Sequence, residues 1–476
     1  MGHLIKDTIA KKNIYLIGAA LLVTLACIIL AAVTQNFVLP LVPVVLLSVV
    51  IFTIFLFREP FLGLMATTGY CFFLHFLSRE IGGGISYGLG IEILLLLTWL
   101  SIWYNADRFD FSNLNNCLFW LTFSWFLLSV AEVANPAGAN ITGWILELRS
   151  SALYPFLIAP LGMLLLTTPR RLNIFLKTII LFSLIAALVG VKQKYIGLSQ
   201  GDQLFLQDNP THVLWGQIRY FSIFSNAGQF GPSQGQFSMI AFVLSFSVKE
   251  WWKKIVLLVL SGLFFYGMMI SGTRGAMFAV AGAAVAAMFL TKRFKVFMFG
   301  LIAIGLFYGF LKYTNIGSGN YAIVRLRSSV DPNDASLNVR FINQKKLAEY
   351  MKSKPFGGGL GVIGSFGHKY NPDKYLSTIE PDSYWVKLWA MYGIVGFTFW
   401  FCIMMFLFGK CTGIIWRIHN PSLKVKLIAL LSGSAGIFLC SYGNEVMNDM
   451  PSLIILYLSF GVILMAPKLD KQLSNK

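Results

Sequence analysis

Residues 253–275 read KKIVLLVLSGLFFYGMMISGTRG, and this stretch decides the fold class. Two lysines precede an uncharged run from Ile255 to Thr273, close to the ~20 residues that an α-helix needs to cross the bilayer core. The run closes in Ser271-Gly-Thr-Arg-Gly275, and a second apolar run follows at once. The rest of the chain repeats this alternation. Of its 476 residues 57% are hydrophobic and 12% charged, against roughly 25% charged in water-soluble chains. Lys and Arg number 38 and Asp and Glu 20, a net charge of +18. A basic excess spread through an apolar majority argues against a nucleic-acid partner, which needs Lys and Arg gathered on one solvated face. The expected fold is an all-α polytopic membrane helix bundle of about 12 to 14 spans.

Outward from this stretch, spans are expected near 14–34, 37–57, 61–78, 87–104, 117–134, 152–168, 173–196, 236–248, 254–271, 275–291, 296–313, 383–408, 423–441 and 451–467. The basic N-terminus leads into an apolar run too long for a removed signal peptide, so the first span is expected to stay. Basic clusters recur in every second loop: Arg170 and Arg171; Lys249, Lys253 and Lys254; Lys292, Arg293 and Lys295; Lys410, Arg417, Lys424 and Lys426. The positive-inside rule then places those loops and both termini in the cytoplasm. Three regions are expected: a transmembrane bundle over 1–313, a long outward-facing loop over 314–382 and C-terminal transmembrane helices over 383–476. Cys27, Cys71, Cys117, Cys402, Cys411 and Cys440 are scattered, with no CxxC pair, so neither a disulfide framework nor a zinc site is suggested.

The loops 135–151, 192–235 and 314–382 therefore face outward, and long ordered loops are usually functional. Within the last, 338–353 reads as a short helix ended by the Pro and Gly of Lys354-Pro-Phe-Gly-Gly-Gly-Leu-Gly361. Arg149, Arg219, Arg274 and Arg340 lie on the outer side, where the positive-inside rule disfavours them. For a lone Arg the competing explanation is an anchor that snorkels to headgroups. Four of them point instead to an anionic ligand, because the guanidinium fork matches phosphate oxygens.

Ser271-Gly-Thr-Arg-Gly275, Asn338-Val-Arg340, Lys354-Pro-Phe-Gly-Gly-Gly-Leu-Gly361 and Asp382-Ser-Tyr-Trp-Val-Lys-Leu-Trp-Ala-Met-Tyr-Gly-Ile-Val-Gly396, in this order, resemble the O-antigen ligase and polymerase superfamily. The earlier Arg219-Tyr-Phe-Ser-Ile-Phe-Ser225 is similar to that group's Arg-containing loop. The resemblance covers about residues 215–400. It implies a GT-C type membrane glycosyltransferase without a cofactor, whose donor is an undecaprenyl-diphosphate-linked glycan. The acceptor is then a sugar or a glycolipid at the outer face of the bacterial plasma membrane, with other polysaccharide-assembly proteins as further partners. Matched residue by residue, Arg219, Arg274 and Arg340 become the diphosphate ligands, with Arg149 a further contact or an anchor. Arg can stabilise the leaving diphosphate without a metal.

The departure from the pattern is Asp382, which stands where ligases of this group commonly carry His. As a carboxylate it can serve as general base; as a residue before Ser383 it can simply cap the following helix. Loss of the His favours a polymerase of O-antigen, capsule or exopolysaccharide over a ligase acting on lipid A core. His368 is a substitute base, Glu380 an acceptor-orienting acid and Tyr384 a sugar-stacking ring, each with a plain surface or interface role as its alternative. Glu445 and Asp449 lie in the last outer loop without an assigned role, and Glu92 sits in an apolar run without an evident partner. A transporter or flippase of lipid-linked sugars would show repeated halves and midplane polar groups. A peptidoglycan polymerase of the shape-and-division group fits the long late loop and SGTRG less well.

Overall fold

A computed structural model describes residues 41–474 apart from 83–85, 215, 320, 329–330 and 332–334. The expected span at 14–34 lies outside the described residues. The chain is all-α, with nine described helices long and apolar enough to cross a membrane and three shorter apolar ones, 47–58, 89–104 and 276–290. It forms two units, residues 1–63 with 96–108, and 64–95 with 109–476.

The first unit holds α1 (Leu41–Arg58), the start of α2 (Pro60–Ile81) and the end of α3 (Leu89–Tyr104). The last carbonyls of a helix lack an intrahelical donor. Here Ser101 Oγ donates to Leu56 O and the Asn105 amide to Phe57 O, each at 2.7 Å.

The second unit continues with α4 (Cys117–Ala131), α5 (Ile141–Leu148), α6 (Tyr154–Leu165), α7 (Pro169–Tyr195), α8 (Gln200–Asp208), α9 (Ala227–Leu244), α10 (Trp251–Ile270), α11 (Ala276–Leu290) and α12 (Phe294–Tyr313). Short helices α13 (Tyr321–Ser328), α14 (Ala335–Met351) and α15 (Gly364–Tyr370) follow, then α16 (Tyr384–Arg417), α17 (Pro421–Cys440) and α18 (Ser452–Ser474). Side-chain caps open many of them: Asn116, Asn140, Thr168, Asn226, Ser383 and Asn420 each accept from a backbone N–H of the first turn. The core is built where α9 packs on α10, α11 and α17, where α11 packs on α17, and where α6 packs on α18. By contrast α12 buries only 6% of its apolar window and presents the rest outward.

Three boundaries differ from expectation. The stretch 135–151 is largely helical, because α5 continues through a π-helical turn at 149–153 into α6. The expected loop 192–235 contains the end of α7, all of α8 and the first turns of α9. Gly, Pro, Gln and Ser in 227–236 read as loop residues in sequence, yet the helix runs through Pro232 with Gln229, Ser233, Gln234 and Gln236 all buried. Their small size and polarity suit protein contacts rather than lipid: Gly231 lies against Ser271 and Thr273, and Gly235 against Val280 and Met268.

The stretch 314–382 carries α13, α14 and α15. Asn371 ties it to 135–148: its Oδ1 accepts from Asn140 N at 2.8 Å while its Nδ2 donates to Gly361 O at 2.9 Å. Lys374 Nζ donates to Ala137 O at 3.0 Å, and Asn135 Nδ2 to Phe356 O at 3.0 Å.

Candidate active site

The turn between α10 and α11 organises the site. Ser271 Oγ donates to Met268 O at 2.7 Å and accepts from Thr273 N at 3.1 Å, and Gly272 adopts φ +58°. Thr273 Oγ1 donates to Ala227 O at 2.7 Å, which pins the turn to the N-terminus of α9. Arginines from two other segments then close on the turn that carries Arg274. A two-residue ladder, β1 (Val213–Leu214) against β2 (Gln217–Ile218), delivers Arg219, whose Nη2 donates to Thr273 Oγ1 at 3.1 Å. From α13, Arg325 donates through Nε and Nη2 to Gly272 O, each at 3.2 Å, and is almost fully buried. Arg274 and Arg325 both line a narrow crevice with Gly272 and Thr273. Nearby His212 accepts from Ala227 N at 3.3 Å. Burial, and then the positive charges of Arg219 and Arg79, push its imidazole down to about 4, so it is neutral near pH 7.

The loop between α17 and α18, residues 441–451, joins this turn to the remaining motifs. The Asn444 amide packs on Gly275, and a methyl at Gly443 would come 3.9 Å from Arg340 Nη1. Arg340, on α14, donates from Nε to Asp382 Oδ2 at 3.3 Å. The Glu445 carbonyl accepts from Gln229 Nε2 of α9. The Glu445 carboxylate meets Lys387 Nζ at 3.1 Å, and the same ammonium meets Glu147 Oε2 at 3.0 Å. Burial raises the Glu445 carboxyl, with Lys387 opposing and Glu147 adding to the rise. Asp449 differs. Burial alone would raise it, yet His75 and hydrogen bonds from Ser225 Oγ (3.0 Å) and Met450 N hold it below the usual carboxylate range.

The glycine motifs have a mechanical role. α16 breaks at Gly393, with φ +66° and ψ −171°. The carbonyls of Ala390 and Met391 accept instead from Gly358 N at 2.9 Å and Gly359 N at 3.0 Å, and Val395 N donates to Pro355 O at 3.2 Å. A side chain at Gly357 would overlap the Met391 carbonyl, and one at Gly393 the Pro355 carbonyl. Two distant glycine clusters thus form one joint, which seats the long loop on α16.

With this geometry in place, one comparison is decisive. Residues 256–401 match the family model described as O-antigen ligase. That segment is similar to the O-antigen ligase family. The match runs from α10 through the SGTRG turn, α14 and the glycine joint into α16. No curated protein matches the chain. The nine long apolar helices among the described residues suit a multi-pass membrane protein, and the matched segment suggests glycan transfer.

Within this O-antigen ligase-like frame the expected site residues separate. Arg219 and Arg274 meet at the turn, and Arg340 approaches it through Gly443 and Asn444. Arg149 has other partners: it is paired with Glu92 and donates to Tyr154 Oη at 3.2 Å, which also supplies the partner that Glu92 lacked in sequence. Asp382 does not cap α16. Ser383 does, accepting from Val386 N at 3.3 Å, while Asp382 adopts φ +47° and turns to Arg340. Tyr384 is not an open stacking ring; it is buried edge-on to Trp400. His368 Nε2 lies 2.7 Å from Glu380 Oε1 in an exposed pair. Arg325 and Lys387 went unnoticed in sequence. Arg325 lies in the same long stretch, 314–382, as Arg340, whereas Lys387 sits in the Asp382–Gly396 motif between aromatic residues. Among the described residues no group of three or more His, Cys, Asp or Glu is placed to hold a metal ion.

Proposed function

We propose that this protein is a metal-independent glycosyltransferase that polymerises undecaprenyl-diphosphate-linked oligosaccharide at the outer face of the bacterial plasma membrane, with both termini cytoplasmic. The observation that carries the reading is the convergence of Arg219, Arg274 and Arg325 on one turn inside the O-antigen ligase-like segment. Guanidiniums fixed before the reaction suit a leaving group whose negative charge grows as the glycosidic C–O bond breaks. Arg219, Arg274 and Arg340 bind the diphosphate in this reading, and Arg325 holds the turn that presents Arg274. The acceptor hydroxyl attacks opposite the diphosphate, inverting the anomeric carbon. Asp382 in place of His favours polymerase over the ligase alternative, which would pass the glycan to lipid A core.

Deleting the gene and resolving surface glycans on a gel separates these readings. Single-repeat products are expected; unattached long chains would instead indicate a ligase, and an unchanged pattern would remove the assignment. Complementation with Arg274→Ala or Arg340→Ala is expected to leave extension at least 100-fold reduced, about 2.7 kcal/mol of transition-state stabilisation, while the protein still inserts.

A further inference from the structure

We infer that Glu445 is the general base that takes the proton of the acceptor hydroxyl, a role that rests on the glycosyl-transfer reading above. The other carboxylates at this end of the bundle are otherwise engaged. Asp382 is 54% exposed at its side chain and spends Oδ2 on Arg340. Glu380 is still more exposed and is paired with His368. Asp449 accepts from Ser225 and faces His75 at 3.7 Å.

Glu445 combines a held carboxylate with space beside its second oxygen. Its Oε2 is fixed by Lys387, while Oε1 lies 3.9 Å from where a methyl at Gly364 would stand, so the missing side chain leaves room beside it. Its position in the chain is equally specific. The two residues before it pack against Arg340 and against Gly275, which follows Arg274 directly. The same short loop therefore runs beside Arg340 and the residue after Arg274, and it carries the carboxylate.

Charge balance explains why the group can act as a base. Lys387 serves two carboxylates, Glu147 and Glu445, so its single positive charge is shared between them. Glu147 is fully buried and also accepts from Ser151 Oγ at 3.0 Å, whereas Glu445 retains 30% exposure. Burial and the Glu147 charge raise the proton affinity of Glu445, Lys387 opposes that rise, and its ammonium holds Oε2 in place. In the step itself the acceptor oxygen bonds to the anomeric carbon as its proton passes to Glu445. The bond from that carbon to the diphosphate oxygen breaks, and the electron pair leaves with the diphosphate. Glu445 then returns the proton to solvent. Lys387 and Glu147 are positioning residues.

The test uses the full chain in membranes of the deletion strain, which hold the native lipid-linked glycan, with undecaprenyl diphosphate as a separate binding probe. Glu445→Gln is expected to slow glycan transfer ~100-fold, within the usual range for a lost general base, while probe affinity changes less than threefold. Glu445→Asp should recover part of the rate. The groups facing Glu445 are Lys387 and Tyr384 of α16, Glu147 of α5 and Asp449 of its own loop. Removing the Glu147 charge by Glu147→Gln lowers the Glu445 proton affinity, so the acid limb of the pH–rate profile should move to lower pH. A Glu445→Gln rate within tenfold of wild type overturns the assignment. So does a loss of probe binding in step with the rate, or an acid limb that Glu147→Gln leaves in place. If Arg274→Ala binds undecaprenyl diphosphate as wild type does, the donor reading fails separately, whatever happens at position 445.

Discussion

Lys387 shows how much one side chain can decide. Its ammonium is 7% exposed and stands between Glu147 and Glu445, contributed by α5 and by the loop after α17. Removing one member of a buried ionic cluster leaves uncompensated charge, which costs about 3–5 kcal/mol. Lys387→Met should therefore lower thermal stability in detergent by that order, and adding Glu147→Gln should return part of it. An unchanged melting temperature for the single variant would mean that the cluster is hydrated. Asp382 sits at the other extreme. Asp382 is more than half exposed and its partner Arg340 31% exposed, so the pair contributes at most about 1 kcal/mol to folding. Asp382→Asn is expected to leave the fold intact and to weaken undecaprenyl diphosphate binding through a less well held Arg340. A large loss of rate at unchanged binding would instead return Asp382 to the base role.

At the scale of elements, the break in α16 is the informative feature. Gly393 combines φ +66° with ψ −171°, a conformation essentially restricted to glycine that costs other residues about 1–3 kcal/mol, and here a Cβ would also overlap the Pro355 carbonyl. Gly393→Ala should thus destabilise by more than ~2 kcal/mol, whereas Gly409→Ala, in the same helix with no neighbour within 4 Å, should change stability by no more than about 1 kcal/mol. Equal melting temperatures for the two variants would show that the joint is not structural. Sequence reading identified both glycine clusters as turn or close-approach signals without showing that each exists for the other. The amides of Gly358 and Gly359 are the donors that the broken helix lacks. The same limit explains α9, where polar and small residues imitate a loop until the helices around them are known.

Over the whole molecule, the long stretch 314–382 buries Leu347, Leu360, Val362, Ile363 and Leu376, and polar bonds tie it to 135–148. Asn371 bonds to both Asn140 and Gly361, and losing a buried partner of this kind costs about 1–3 kcal/mol. Asn371→Ala should accelerate amide exchange across 354–382 while leaving α17 and α18 protected. Uniform exchange changes over the chain would contradict a locally attached loop.

The amino-acid order alone was sufficient for the membrane class, for most helices and for the arginine and glycine motifs, because bilayer insertion and turn chemistry act on neighbours in the chain. It also carried the O-antigen ligase resemblance, which residues 256–401 bear out. Which charges meet was settled only by the tertiary structure. Glu92 finds Arg149, Asp382 finds Arg340, and Glu147, Lys387 and Glu445 share one site although they are far apart in sequence. A buried charge is stable only beside its partner, and that partner is chosen by how the helices pack.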